Sequence, residues 1–161
     1  MNTKNGPIEF RSHVHASQRG ALERLLFFNS CQIRVAEVIA AAVENFGTPE
    51  IVATSSERLT VTLSGMNDVQ ALFAIEKQTR RPVGVALYMR PDLESIHVLH
   101  LSIAAEYASG GIRSEEQLLL KLLRELRRCT RQMKGVRRLE LYYARTRGAS
   151  TRCRAFDKAL M

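Results

Sequence analysis

The apolar residues of this chain change their spacing twice, and those two changes constrain the fold more than any other feature of the sequence. From Leu22 to Val43 they recur every three or four residues (Leu22, Leu25, Leu26, Ile33, Ala36, Ile39, Ala40, Val43), which lines them along one side of a helix. Ser17 is the expected N-cap, Asn29-Ser30 divides the segment into two helices, and Gly47 followed by Pro49 closes it. From Ile51 to Ile103 the period falls to two. Leu59, Val61 and Leu63 alternate with Thr60, Thr62 and Ser64, as a half-buried strand requires. Further strands are predicted at Ile51–Ala53, Val69–Glu76, Val83–Met89 and Ile96–Ile103. The turns at Lys77–Arg81 and Pro91-Asp92 are short and polar, so neighbouring strands must run antiparallel.

Helical spacing then returns. Ser114-Glu115-Glu116-Gln117 has the form of a capping box, and it opens a helix predicted to run to Gly135. Leu119, Leu122, Leu126, Cys129 and Met133 form its apolar side, while Arg124, Arg127, Arg128 and Arg131 share the opposite one. Val136–Tyr143 alternates again, and a last helix is expected from Ser150 onward. Ile8–Arg11 reads as a short first strand in an otherwise poorly ordered segment, 1–16. The order of helices, antiparallel strands, helix, strand and helix is a mixed α/β layout. With no repeat, linker or low-complexity tract, residues 1–161 are read as one domain. A hydrophobic content of 45% against 25% charged residues excludes wholesale disorder.

Several function classes fall away at this point. Residues 1–19 are polar and lack the apolar segment of a signal peptide. The longest apolar run, Val38–Val43, is far too short to span a bilayer, so no membrane partner is expected and the cytoplasm is the expected location. Cys31, Cys129 and Cys153 are odd in number and show no metal-ligand spacing, which argues for inert thiols rather than a metal site or a disulfide framework. The formal net charge of +8 is concentrated in the C-terminal third and suits polyanions: nucleic acid, or the phosphates of a cofactor. Charge alone leaves both open.

Particular residues carry a resemblance to a known family. Leu72-Phe73-Ala74-Ile75-Glu76 and Pro82-Val83-Gly84-Val85-Ala86-Leu87, joined by a polar turn, resemble the second and third strands of the GNAT acyltransferase superfamily. Val83-Gly84 matches the valine-or-isoleucine–glycine pair that begins the third. Val98–Ile103 with Ala104–Tyr107 resembles the fourth strand and its exit, where the family often has proline at the position of Ala105 and arginine at that of Ala108. The stretch Ala108-Ser109-Gly110-Gly111-Ile112-Arg113-Ser114 falls where the family's pyrophosphate loop, Q/R-x-x-G-x-G/A, belongs. Gly111 matches its first glycine, whereas Ala108 and Arg113 depart from it. The resemblance covers residues 69–161 and rests on element order as much as on identities. It implies a GNAT-like fold, a mixed and mostly antiparallel sheet flanked by helices. The chain ends where the family adds two strands, and the strands around Ile51 and Leu59 are the candidates to fill that gap.

The resemblance further implies acetyl-CoA or another acyl-CoA as cofactor, held at Ile103, Gly110, Gly111, Ile112, Arg113 and Ser114, with a small-molecule or protein amine as acceptor. Amides of a glycine turn backed by the positive end of a helix form an anion site. Acyl transfer also needs a proton acceptor and a donor for the leaving thiolate. His97, His100 and Glu94 are the candidate acceptors. The two histidines have opposite parity on a regular strand, so only one should face a given cleft. The ending Phe156-Asp157-Lys158-Ala159-Leu160-Met161 resembles the family's Y-E-K-x-G-F segment with phenylalanine in place of the tyrosine acid, which leaves Tyr142 or Tyr143 as substitutes.

Each of these residues also has a plainer reading, as core histidine, sheet aromatic or flexible Gly-Gly turn. Three functions follow, in descending order of preference. The first is an N-acyltransferase, the second a GNAT-like domain that binds or regulates without catalysis, and the third a basic nucleic-acid-binding module using the arginine face. That face lacks accompanying base-stacking aromatics and equally suits a solvated surface complementing the helix dipole. A homodimer is compatible with a truncated sheet whose edge needs cover.

Overall fold

The computed structural model describes residues 7–27, 46–108 and 111–141. The predicted helix through 28–45, the last helix, and the roles expected of Gly110, Tyr142, Tyr143 and Phe156 lie outside the described residues.

The chain opens with β1 (Ile8–Arg11) and β2 (Val14–His15), a 3-10 turn over Ala16–Gln18, and helix α1 (Arg19–Phe27). Strands β3 (Pro49–Ala53), β4 (Arg58–Leu63), β5 (Gln70–Glu76), β6 (Pro82–Met89) and β7 (Ser95–Ile103) follow. Helix α2 (Leu118–Arg131) then crosses to β8 (Arg138–Leu141). The main sheet has the order β1-β5-β6-β7-β8. Its pairs are antiparallel except β7 with β8, which run parallel and therefore need the α2 crossover between them. The mixed, mostly antiparallel sheet flanked by helices is the architecture that the resemblance implies, and its antiparallel strands and α/β order are those expected from the spacing of the apolar residues.

β5 and β6 are buried on both faces, which is why they read as almost unbroken apolar runs. Phe73, Val85, Leu87 and Leu99 pack on one face against Leu22, Leu25 and Leu26 of α1 and against Val61 and Leu63 of β4. Leu72, Ala74, Val83, Ala86, Ile96, Val98 and Leu139 pack on the other against Leu118, Leu122 and Leu126 of α2. Gly84 lets α2 approach. A Cβ there would meet Ala74 Cβ at 3.2 Å and both Ile103 Cγ2 and Leu122 Cδ2 at 3.6 Å.

Four expectations are corrected. The strands around Ile51 and Leu59 do not extend the main sheet; β3 and β4 join β2 in a separate three-stranded sheet of order β2-β4-β3. The connection from β4 to β5 therefore changes sheet, although its length is that of a hairpin. At the other end of the hairpin sheet Gly47 has φ +90°, and a Cβ there would lie 2.4 Å from the Gly65 nitrogen.

Ser17 does not cap α1. His15 caps the 3-10 turn that precedes the helix, its Nδ1 accepting from the Ser17 amide at 3.1 Å. Ser114 does not open α2 either. Ser114–Glu116 forms a 3-10 turn, and Gln117 in the left-handed region (φ 50°, ψ 47°) separates it from the helix, so the capping-box glutamine lies outside the helix it was to cap. Finally, α2 stops at Arg131, and Gly135 (φ +89°) belongs to the turn beyond.

Candidate active site: the end of β7 and the opening of α2

Leu87 pairs with His100, yet its neighbour Tyr88 pairs with Val98. β7 thus carries one extra residue, Leu99, and the resulting β-bulge shifts the phase of everything after it. Ile96 and Val98 face α2 before the bulge; Leu101 and Ile103 do so after it. His97 pairs with Met89 and His100 with Leu87, and both partners belong to the α1-side core. The two histidines therefore share one face, contrary to the parity expected of a regular strand.

Their surroundings differ. Parallel strand β8 places Glu140 opposite His97, with His97 Nε2 3.5 Å from Glu140 Oε2. His100 is 5% exposed, and burial pushes its pKa down to about 4, so its imidazole is neutral near pH 7. Further along the same face the Ser102 hydroxyl donates to the Leu25 carbonyl at 2.8 Å, fastening β7 to α1. Glu94 precedes β7, and its carbonyl accepts from the amides of Arg137 and Arg138. That pairing sets the register with β8.

After Ile103 the chain turns through a 3-10 segment, Ala105–Tyr107, into the glycine loop. Gly111 is required by the loop itself, since a Cβ there would lie 2.5 Å from the Glu106 carbonyl and 2.6 Å from that of Ala105. Three of the expected anion-binding amides are engaged locally: Gly111 donates to Ala108, Arg113 to Glu106 and Ser114 to Gly111. The helical ladder of α2 begins with Lys121 donating to Gln117 at 3.1 Å. The amides of Leu118, Leu119 and Leu120 precede it and have no intrahelical acceptor. No acidic residue occupies that first turn, and Leu120 within it is 46% exposed. Ile112, 91% exposed, stands at the tip of the loop.

Arg113 turns inward. Its Nη1 donates to the Tyr107 hydroxyl at 2.9 Å, its guanidinium lies 5.6 Å from the centre of the Tyr107 ring, and Glu76 Oε1 is 3.9 Å away. Glu76 is the hub of a cluster the sequence reading missed. Arg81 reaches it at 2.5 Å and also binds Glu106, while the Thr79 hydroxyl donates to Glu76 at 3.0 Å. Burial raises the Glu76 pKa, but the hydrogen bonds from Arg81 and Thr79 and the charges of Arg81 and Arg113 outweigh it and hold the carboxyl below its usual value. This network ties the end of β5 to the exit of β7. An acid ending a buried strand, with arginine five residues later across a turn, was its signal in the sequence.

The bulge also left a trace. Val98 and Leu99 are adjacent apolar residues between two histidines, where strict alternation would place a polar one. Of the residues singled out for the cofactor, Ile103, Gly111, Ile112, Arg113 and Ser114 do lie together between β7 and α2. Catalytic candidates His97 and His100 lie further back along β7; His97 and Ile103 pair with Met89 and Gly84 of β6, which puts them about 17 Å apart at the strand's rise per residue.

No family model and no curated protein matches the chain. Among solved structures it is similar to the crystal structure of a Trypanosoma brucei acetyltransferase, with 17% identity over 89% of this chain and 84% of that one and a TM-score of 0.43. Among the described residues no helix is long and apolar enough to cross a membrane, and no group of His, Cys, Asp or Glu is placed to hold a metal ion.

Proposed function

We propose that this chain is an acyl-CoA-dependent N-acyltransferase that moves an acetyl group from acetyl-CoA to an amine. The observation that carries the reading is the joint between β7 and α2. A bulged strand bearing His97 leads through the Gly111 loop into a helix whose first three amides, free of acidic neighbours in that turn, suit a phosphate group. The pyrophosphate is assigned to Leu118–Leu120, four residues beyond the place the loop motif suggests. Arg113 is assigned to holding the loop through Tyr107 rather than to the ligand. The separation of about 17 Å between His97 and Ile103 along β7 suits an elongated ligand better than a compact one.

Bound there, an acyl-CoA supplies an activated acyl group as its thioester. In this reading His97 accepts the amine proton, and Glu140, 3.5 Å away, orients the ring and balances the imidazolium that forms. His100, held neutral by burial with a pKa of about 4, is too weak a base for that role and is assigned to packing. As the new C–N bond forms the C–S bond breaks, and the departing thiolate needs a proton. Tyr143 keeps the role of donor in this reading.

A second reading, binding without turnover, is favoured by the inward turn of Arg113, which removes a charge that could have met the ligand. Incubation with acetyl-CoA and a panel of amines, followed by release of free thiol, tests the choice. Amine-dependent release lost in His97→Ala supports the enzyme. Binding with no release for any amine supports the second reading.

A further inference from the structure

On the α1 side of the main sheet, next to edge strand β1, a cleft of about 510 Å³ is lined by Arg11, Arg58, Arg80, His13 and His15 together with Glu9 and Glu57. Neither the loop after β7 nor α2 contributes to it. Its charges are not internally balanced. The Glu9 carboxylate is shared, 3.2 Å from Arg11 Nε and 3.3 Å from Arg80 Nη1. Arg58 forms no ion pair among the described residues, and Glu57 is the only other carboxylate on the wall.

Two carboxylates offset only part of the charge of three guanidinium groups, and Arg58, outside any ion pair among the described residues, leaves the cleft with an excess that favours a bound anion. His13 registers that field: burial, then the charges of Arg58 and Arg11, push its pKa down. His15 adds a donor. Its Nδ1 accepts from the Ser17 amide at 3.1 Å, which leaves the proton of the neutral ring on Nε2.

We infer that this cleft is a binding site for a small phosphate monoester, gripped by Arg58 and Arg11 with the histidines as further donors. Guanidinium forks match phosphate oxygens in pairs, and a dianion offsets more of this charge than a carboxylate does. The volume exceeds what a lone inorganic ion needs and leaves room for an organic body. The site is independent of the acyl-CoA reading.

The test titrates the full chain with glycerol phosphate, inorganic phosphate and acetate, following the histidine ring resonances by NMR. Glycerol phosphate is expected to bind saturably and more tightly than acetate, moving the His13 and His15 signals. The His13 pKa rises on binding, because the anion offsets Arg58 and Arg11; Glu9, Glu57, Arg80 and His15 are the other titratable or charged groups facing it. Arg58→Gln, on an exposed side chain, is expected to weaken binding at least tenfold at unchanged Tm, while Glu9→Gln strengthens it. Leu120→Glu, which probes the separate site at α2, leaves it unaltered. Non-saturable shifts, equal response to acetate, or equal affinity in Arg58→Gln would overturn the inference.

Discussion

The Arg113 guanidinium donates to the Tyr107 hydroxyl at 2.9 Å and lies over the same ring, so a side chain from the middle of the glycine loop is fastened to the exit of β7. Tyr107 is buried, and the contact joins the Glu76–Arg81–Glu106 cluster through Glu76. The loop is thereby held against the ends of β5 and β7 rather than as a free tether, and the amides of Gly111, Arg113 and Ser114 donate to the carbonyls of Ala108, Glu106 and Gly111.

Removing the hydroxyl tests that fastening. Tyr107→Phe keeps the ring and loses one hydrogen bond to a half-exposed guanidinium, which solvent screens to a cost of about 1 kcal/mol. Thermal unfolding should show a decrease in Tm of about 2–4 °C. Amide exchange should accelerate around residues 111–114 and stay unchanged in β5 and β6.

Much of the fold was legible from spacing alone: β5, β6 and β7 fall where apolar runs bounded by polar turns place them, and α1 and α2 supply the two faces that cover them. What the pattern could not give was partnership between distant segments. β3 and β4 alternate as well as any strand, but nothing in Ile51–Ala53 or Leu59–Leu63 specifies which sheet they join. The opening of α2 was misplaced because Ser114-x-x-Gln117 satisfies a local rule that Gln117's left-handed backbone then breaks. For the candidate site, Gly111 and Arg113 were visible, while the direction of Arg113 depends on Tyr107 and Glu76, the latter far away in sequence. The shared face of His97 and His100 depends on one extra residue, Leu99, whose trace was present but outweighed by the assumption of a regular strand.

Buried His100 gives the fold a pH dependence. Its folded pKa of about 4 lies below the unfolded value of 6.5, so the unfolded chain binds more protons between those limits. Its contribution is complete above about pH 6.5 and is lost as pH falls toward 4, by about 3 kcal/mol in all. Glu76, also depressed, acts in the same direction at lower pH: its stabilising pairs are lost as pH falls through its folded pKa. Urea unfolding at pH 7 and pH 5 should show a fall in stability for the native chain and a clearly smaller one for His100→Gln.

Between the histidines the chemistry should divide unequally. His97→Ala is expected to lower kcat by about 10²–10⁴-fold with little change in KM for acetyl-CoA, as loss of a general base does. Glu140→Gln, which removes the charge beside His97 but keeps its shape, should cost less and distort the pH profile of kcat. His100→Gln should leave kcat within a few fold. Steady-state thiol release with one active amine distinguishes the three.

The acyl-CoA assignment rests on the first turn of α2, and Leu120→Glu addresses it most directly. A carboxylate at this exposed position complements the helix dipole, so the fold should keep or gain stability, while the same charge repels a bound pyrophosphate. Calorimetric titration with acetyl-CoA and with CoA should give micromolar binding to the native chain and at least a tenfold loss in Leu120→Glu at undiminished Tm. No binding to the native chain at millimolar ligand would contradict the account. So would binding that survives Leu120→Glu and disappears in Arg58→Gln, which would place the ligand in the cleft beside β1.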